Sequence, residues 1–165
     1  MAVVTLQGTE FHTNGDLPAV GSEAPNFQLA ADDLSNKSLS DFKGKKKLLN
    51  IVPSLDTGVC ATSTEKFNNY AKDKKDVVML VISADMPFAQ KRFCTDKSIS
   101  NIKALSMMRS RNFAKDYGVL MEDGPLQGIT ARAVVIIDEN DKVVYTQLVK
   151  EITQEPDYDA ALKHL

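Results

Sequence analysis

Three short, predominantly apolar runs stand out along this chain. They are Leu48-Leu49-Asn50-Ile51-Val52, Val77 to Ile82 and Ala133 to Ile137. Runs of this length, bounded by polar residues, predict strands that are covered on both faces. Pro53 closes the first run. Gly58 to Ala71 follows, with Val59, Phe67, Tyr70 and Ala71 spaced among polar residues, and predicts an amphipathic helix. Strand, helix and strand with short joins make a βαβ unit, which implies parallel strands and a right-handed crossover.

Weaker signals fill in the rest. Val3 to Leu6 and Glu10 to His12 flank Gly8 and predict an N-terminal β-hairpin. Gly21 to Phe27 reads as a loop, and short strands are expected at Phe27 to Ala30 and Lys37 to Leu39. Pro87 suits a first helical position, so Met86 to Thr95 predicts a short helix that carries Cys94. Ile102 to Ser106 predicts a strand, and Arg111 to Tyr117 a helix stopped by Gly118. Asp138 to Asp141 is a turn, Val143 to Val149 pairs back on the strand before it, and Pro156 to Leu165 is a closing helix. No repeat, low-complexity segment or linker interrupts this order. Residues 1–165 therefore read as one α/β domain: a central mixed β-sheet flanked by helices, with an N-terminal β-hairpin.

Several local patterns read as structural. Lys45-Lys46-Lys47 is expected to be a solvated turn and 72–76 a surface loop. Met107 and Met108 read as packing residues, and Tyr158 as a structural residue of the closing helix. Gly124 and Gly128 mark a flexible loop ahead of Arg132 that is expected to shape an entrance.

Composition narrows the function classes. The 165 residues are 43% hydrophobic and 25% charged, with a formal net charge of -2. That balance offers no electrostatic attraction for nucleic acid or an anionic membrane. No apolar run approaches the ~20 residues needed to span a bilayer. The N-terminus shows no secretory pattern, so a cytoplasmic location is expected. There are two cysteines and two histidines, and no CxxC pair or ligand spacing, so a structural zinc site is not expected.

The chemistry is concentrated in Pro53-Ser54-Leu55-Asp56-Thr57-Gly58-Val59-Cys60. Asp56 and Thr57 are good N-cap residues, which puts Cys60 in the first turn of the following helix. Unpaired N–H groups and the positive end of the helix dipole both favour a thiolate there, and the thiolate is the nucleophile. Thr57 can aim its hydroxyl at the sulfur or at a substrate oxygen, and Pro53 can shield the sulfur from water. Free cysteine is also a common small core residue. On the residues alone Cys94, with Phe88 and Phe93 nearby, reads equally as a packed helix cysteine.

Pro53, Thr57 and Cys60 match the P-x-x-x-[T/S]-x-x-C motif of peroxiredoxins. The chain resembles the bacterial thiol peroxidase branch of that family in six segments in order. Besides the Pro53 to Cys60 run these are Ile82 to Gln90, Arg92 to Cys94, Gly124 to Leu126, Ala131 to Ala133 and Glu155 to Ala161. The resemblance implies a thioredoxin-like fold and no cofactor. It implies Cys60 as the peroxidatic cysteine, Cys94 as the resolving cysteine that closes an intrachain disulfide with it, and Thr57 as a substrate ligand. It selects Arg132 as the active-site arginine over Arg92, Arg109 and Arg111, where charge alone does not. Hydrogen peroxide or alkyl hydroperoxides as substrates, thioredoxin as reductant and a homodimer are implied in the same way. Two other readings are a thiol-based peroxide sensor and a non-catalytic thioredoxin-fold binding module.

Overall fold

The three apolar runs lie side by side in the middle of a seven-stranded sheet. In this computed structural model, which describes residues 1–165, the sheet comprises β3 (Gln28–Ala30), β4 (Asn36–Ser38), β5 (Lys46–Ile51), β6 (Val77–Ser83), β7 (Lys103–Ser106), β8 (Ala133–Ile137) and β9 (Val143–Leu148). Its order is β4-β3-β7-β6-β5-β8-β9. β5, β6 and β7 are mutually parallel, while β8 runs antiparallel to β5 and β9 antiparallel to β8. A separate hairpin of β1 (Val3–Leu6) and β2 (Thr9–His12) precedes them. The helices are α1 (Gly58–Ala71), α2 (Pro87–Asp96), α3 (Asn112–Asp116) and α4 (Tyr158–Leu162).

The period-two alternation of the central strands divides the core. Leu48, Met79, Val134 and Ile136 point to one face and pack with Phe67 of α1, Ala161 of α4 and Cys60. Leu49, Leu80, Val135 and Ile137 point to the other and pack with Phe27, Phe42, Phe113 and Tyr117. Each such side chain contributes about 1.5–3 kcal/mol when fully buried, so both faces of the central strands must be covered. A third, smaller cluster of Val4, Phe11, Met121, Ala131 and Ile152 fastens the hairpin to the 121–131 loop.

Several expectations fail. β5 begins at Lys46 rather than Leu48, and Lys47 is not in a solvated turn. Its side chain is fully buried, and its ammonium donates to the Asp141 carboxylate and the Asp138 carbonyl. A strand position facing the core cannot hold an unpaired ammonium, so the Asp138 to Asp141 turn supplies the acceptors. Phe88 is not a core neighbour of Cys94: it is 61% exposed. The α3 and α4 helices are also shorter than their sequence signals, each ending in a tight turn.

Gly118 ends α3 with φ +70, and a Cβ there would lie 2.0 Å from the Asp16 carbonyl oxygen. Backbone strain and a backbone clash coincide at this position. We expect Gly118→Ala to cost at least ~2 kcal/mol, and thermal unfolding should show a midpoint lowered by roughly 4–8 °C.

Candidate active site

The loop between β5 and α1 is built to present Cys60. Val52 leaves the sheet while its N–H still donates to Ile82, and Pro53 and Leu55 are buried. Thr57 is the N-cap of α1, in extended conformation, as its sequence position predicts. Its hydroxyl does not cap the helix or reach the sulfur. It donates instead to the Ser54 carbonyl at 3.0 Å, tightening the loop. The first turn of a 14-residue helix thus has no side-chain cap, and its N–H groups and dipole converge on the segment that carries Cys60.

Cys60 is 0% exposed. Arg132, which immediately precedes β8, reaches it from the neighbouring strand: Nη1 donates to Cys60 Sγ at 3.1 Å, and Nε donates to the Ile152 carbonyl at 3.0 Å. The register explains this meeting, because Ile51 and Ala133 are paired and the two strand ends turn into the site together. Arg132 is itself only 1% exposed and joins no ion pair with a carboxylate. A buried guanidinium without a counter-ion is costly. The sulfur is the only side-chain atom that accepts a hydrogen bond from it.

A pocket of about 360 Å³ opens beside this pair. Pro53, Thr57 and Arg132 line it, and Leu6, Leu126, Ile129 and Ile152 give it an apolar wall. Glu151 fixes that wall. Its carboxylate accepts from the Gly8 N–H at the hairpin tip, the Thr5 hydroxyl and the Thr153 N–H and hydroxyl. Led by the Thr153 N–H, these bonds hold its pKa down at about 2. The loop marked by Gly124 and Gly128 does border the entrance, through Leu126 and Ile129.

Cys94 lies on α2, half-buried, and both cysteines are free thiols. Its thiol pKa is raised, first by burial and then by the Asp32 carboxylate. It borders a different cavity, of about 520 Å³, which shares no lining residue with the pocket beside Arg132. The arginines that charge alone could not exclude are engaged elsewhere or exposed. Arg109 donates to Asn36 and the Leu34 carbonyl, Arg111 to the Gly128 and Met107 carbonyls, and Arg92 is exposed.

Two residues to which the sequence reading gives no site role support the site. Asn50, buried in β5, donates to Ser63, whose hydroxyl donates to the Cys60 carbonyl. Asp85, beyond β6, accepts from the Ser54 hydroxyl and the Leu55 N–H, both at 2.8 Å. A polar residue inside an apolar run is the signal that could have marked Asn50; Asp85 lies in the Ile82 to Gln90 segment that carries the resemblance, which gives it no role of its own.

Comparison with known proteins places this architecture among others. The Redoxin family profile matches residues 19–162. The thiol peroxidase of Corynebacterium glutamicum is 50% identical over 165 residues, which is 100% of this chain and 99% of that protein. A solved structure of a peroxiredoxin-like protein from Aquifex aeolicus superposes with a TM-score of 0.94 at 43% identity, covering 99% of this chain and 95% of that one. The thiol peroxidase from Chromobacterium violaceum gives a TM-score of 0.92 at 26% identity, with the same coverage.

Proposed function

The chain belongs to the redoxin family and is a peroxiredoxin-type peroxidase, and from that premise we propose that Cys60 is the peroxidatic cysteine of a two-cysteine cycle. The observation that carries this reading is the 3.1 Å hydrogen bond from buried, carboxylate-free Arg132 to the Cys60 sulfur. The Cys60 thiolate attacks the terminal oxygen of a hydroperoxide. The S–O bond forms as the O–O bond breaks, the leaving oxygen takes a proton, and an alcohol or water departs from a sulfenic acid. Arg132 stabilises the charge that passes from sulfur to the leaving oxygen. Thr57, at the rim, supplies a hydroxyl to the substrate once it turns from the Ser54 carbonyl. Pro53 keeps water from the sulfur. The apolar wall of Leu6, Leu126, Ile129 and Ile152 favours organic hydroperoxides beside hydrogen peroxide.

The Cys94 sulfur then attacks the sulfenic sulfur, expelling water and forming the Cys60–Cys94 disulfide. The two cysteines occupy separate helices, with Cys60 fully buried in a core cluster against which Cys94 packs, and the cycle assigns closure of the bond to an unwinding of the first turn of α1. The sequence there suits unwinding. Gly58-Val59-Cys60-Ala61-Thr62-Ser63-Thr64 is poor in helix formers, each Gly, Val, Cys, Thr or Ser costing about 0.5–1 kcal/mol relative to Ala. Thr62, Ser63 and Thr64 also donate their hydroxyls to the Gly58 and Cys60 carbonyls, a local bonding that competes with helix. Thioredoxin, the reductant implied by family resemblance, reduces the exposed disulfide and returns both thiols. No helix is long and apolar enough to cross a membrane. A cytoplasmic location fits a cycle that depends on a cellular dithiol, and a homodimer is implied by the family resemblance.

The test is steady oxidation of NADPH by thioredoxin reductase and thioredoxin in the presence of cumene hydroperoxide. The wild-type protein is expected to turn over continuously. Cys94→Ser is expected to consume about one equivalent of peroxide and then stop, with Cys60 passing to sulfinic acid under excess peroxide. Normal turnover by that variant would remove Cys94 as the resolving residue. A wild-type protein that stopped after one equivalent would point to a sensor.

A further inference from the structure

We infer that Asp85 is a positioning residue that holds the Pro53 to Cys60 loop in its peroxide-reactive form and links it to the helix carrying Cys94, so that one carboxylate sets the partition between disulfide closure and overoxidation of Cys60. The inference rests on the two-cysteine cycle proposed above and assigns it a control point.

The basis is a set of hydrogen bonds between distant segments. Asp85 sits two residues before Pro87, the start of α2. One carboxylate oxygen accepts from Ser54 Oγ at 2.8 Å. The other accepts from the Leu55 N–H at 2.8 Å and from Ser83 Oγ at 2.7 Å. Ser54 is the residue whose carbonyl receives the Thr57 hydroxyl, so Asp85 fixes the N-cap of α1 through one intermediate. On the other side, Ser83 accepts from Gln90 Nε2 at 3.0 Å, and the same nitrogen donates to the Leu105 carbonyl at 2.9 Å. Gln90 is fully buried on α2, one turn before Cys94. The Asp85 carbonyl accepts from Ser106, which ties the hub to β7.

No ion pair engages Asp85. Its carboxylate is held only by neutral donors on the loop and on β6, each charge-assisted and stronger than an ordinary hydrogen bond. The loop donors keep their partner only while the loop is folded. Breaking them is therefore part of the barrier to unwinding α1. Gln90 Oε1 is buried and accepts no hydrogen bond from the protein, so the Gln90 side chain is tied to Ser83 and Leu105 through its amide nitrogen alone.

The experiment measures two quantities on the full chain: the rate of Cys60 oxidation by stopped flow, and the fraction of Cys60 converted to sulfinic acid under excess peroxide with thioredoxin cycling, by intact mass. Asp85→Ala is expected to slow oxidation about tenfold or more, because the loop that presents the sulfur loses its anchor. It is also expected to lower the sulfinic fraction at a matched number of turnovers, because the loop unwinds more readily. Asp85→Asn, which can re-form part of the bonding, should fall between. Ser54→Ala deletes one donor and should move both quantities in the same direction, so the inference stands or falls even if Asp85→Ala does not fold. Slower oxidation with an unchanged sulfinic fraction would mean general damage to the fold and would overturn the inference; so would no change in either. If the wild-type protein forms no Cys60–Cys94 disulfide with one equivalent of peroxide, the cycle itself is wrong, a result separate from a wild-type disulfide that the variants leave unaltered.

Discussion

Cys60→Ser is expected to abolish peroxide reduction while the fold stays intact. Serine is nearly isosteric, and its hydroxyl can accept the same hydrogen bond from Arg132 Nη1 that the sulfur accepts. The melting temperature should therefore stay close to that of the wild type. The alkoxide is inaccessible at neutral pH, and neutral oxygen is a poor nucleophile toward an O–O bond. We expect the second-order rate constant with hydrogen peroxide to fall by at least about three orders of magnitude, or ~4 kcal/mol of barrier at 1.36 kcal/mol per decade. Stopped-flow consumption of peroxide by the pre-reduced protein measures it directly. Activity within tenfold of the wild type would remove Cys60 from its role and leave Cys94 as the remaining nucleophile, on a helix where burial and the Asp32 charge both raise its thiol pKa.

How much of this site can be read from the sequence follows from how local each constraint is. The Pro53 to Cys60 loop is legible because its parts are punctuation: an apolar run that ends at proline, a threonine at a helix start and a cysteine three residues on. The central strands are legible because alternate residues of Leu48 to Ile51 and Ala133 to Ile137 must fill opposite clusters. Lys47 is illegible because a charged residue before an apolar run ordinarily marks its edge, and its acceptors lie more than ninety positions away in a turn. Arg132 could be selected only by resemblance, since strand pairing and not spacing brings it to the sulfur. Asp85 escapes for the same reason, with its loop donors 30 and 31 positions away. Thr57 shows the finer limit. Its place at the helix N-cap follows from sequence, but the direction of its hydroxyl depends on where the Ser54 carbonyl lies.

Arg132 carries the second large effect, and its two hydrogen bonds determine which substitutions separate its roles. Nε is spent on the Ile152 carbonyl, so only the far end of the guanidinium serves the sulfur. A lysine has one nitrogen at the end of a flexible stem and cannot occupy both positions. Arg132→Lys is therefore expected to lower the rate of Cys60 oxidation by roughly 10²–10³, the usual loss for one preorganised donor at a developing charge. Arg132→Met removes the charge and fills the volume with an apolar chain. If the arginine served mainly to pin the Ile152 segment, Met would destabilise the protein and leave the intrinsic rate near that of Lys or above it. We expect the opposite. Losing a buried cation that makes no ion pair with a carboxylate offsets the lost carbonyl bond, so thermal stability changes little, while the rate falls at least as far as in the lysine variant. Oxidation kinetics and thermal unfolding on both variants decide between the two roles. A methionine variant that oxidised at the wild-type rate would show that the hydrogen bond to the sulfur contributes nothing to catalysis.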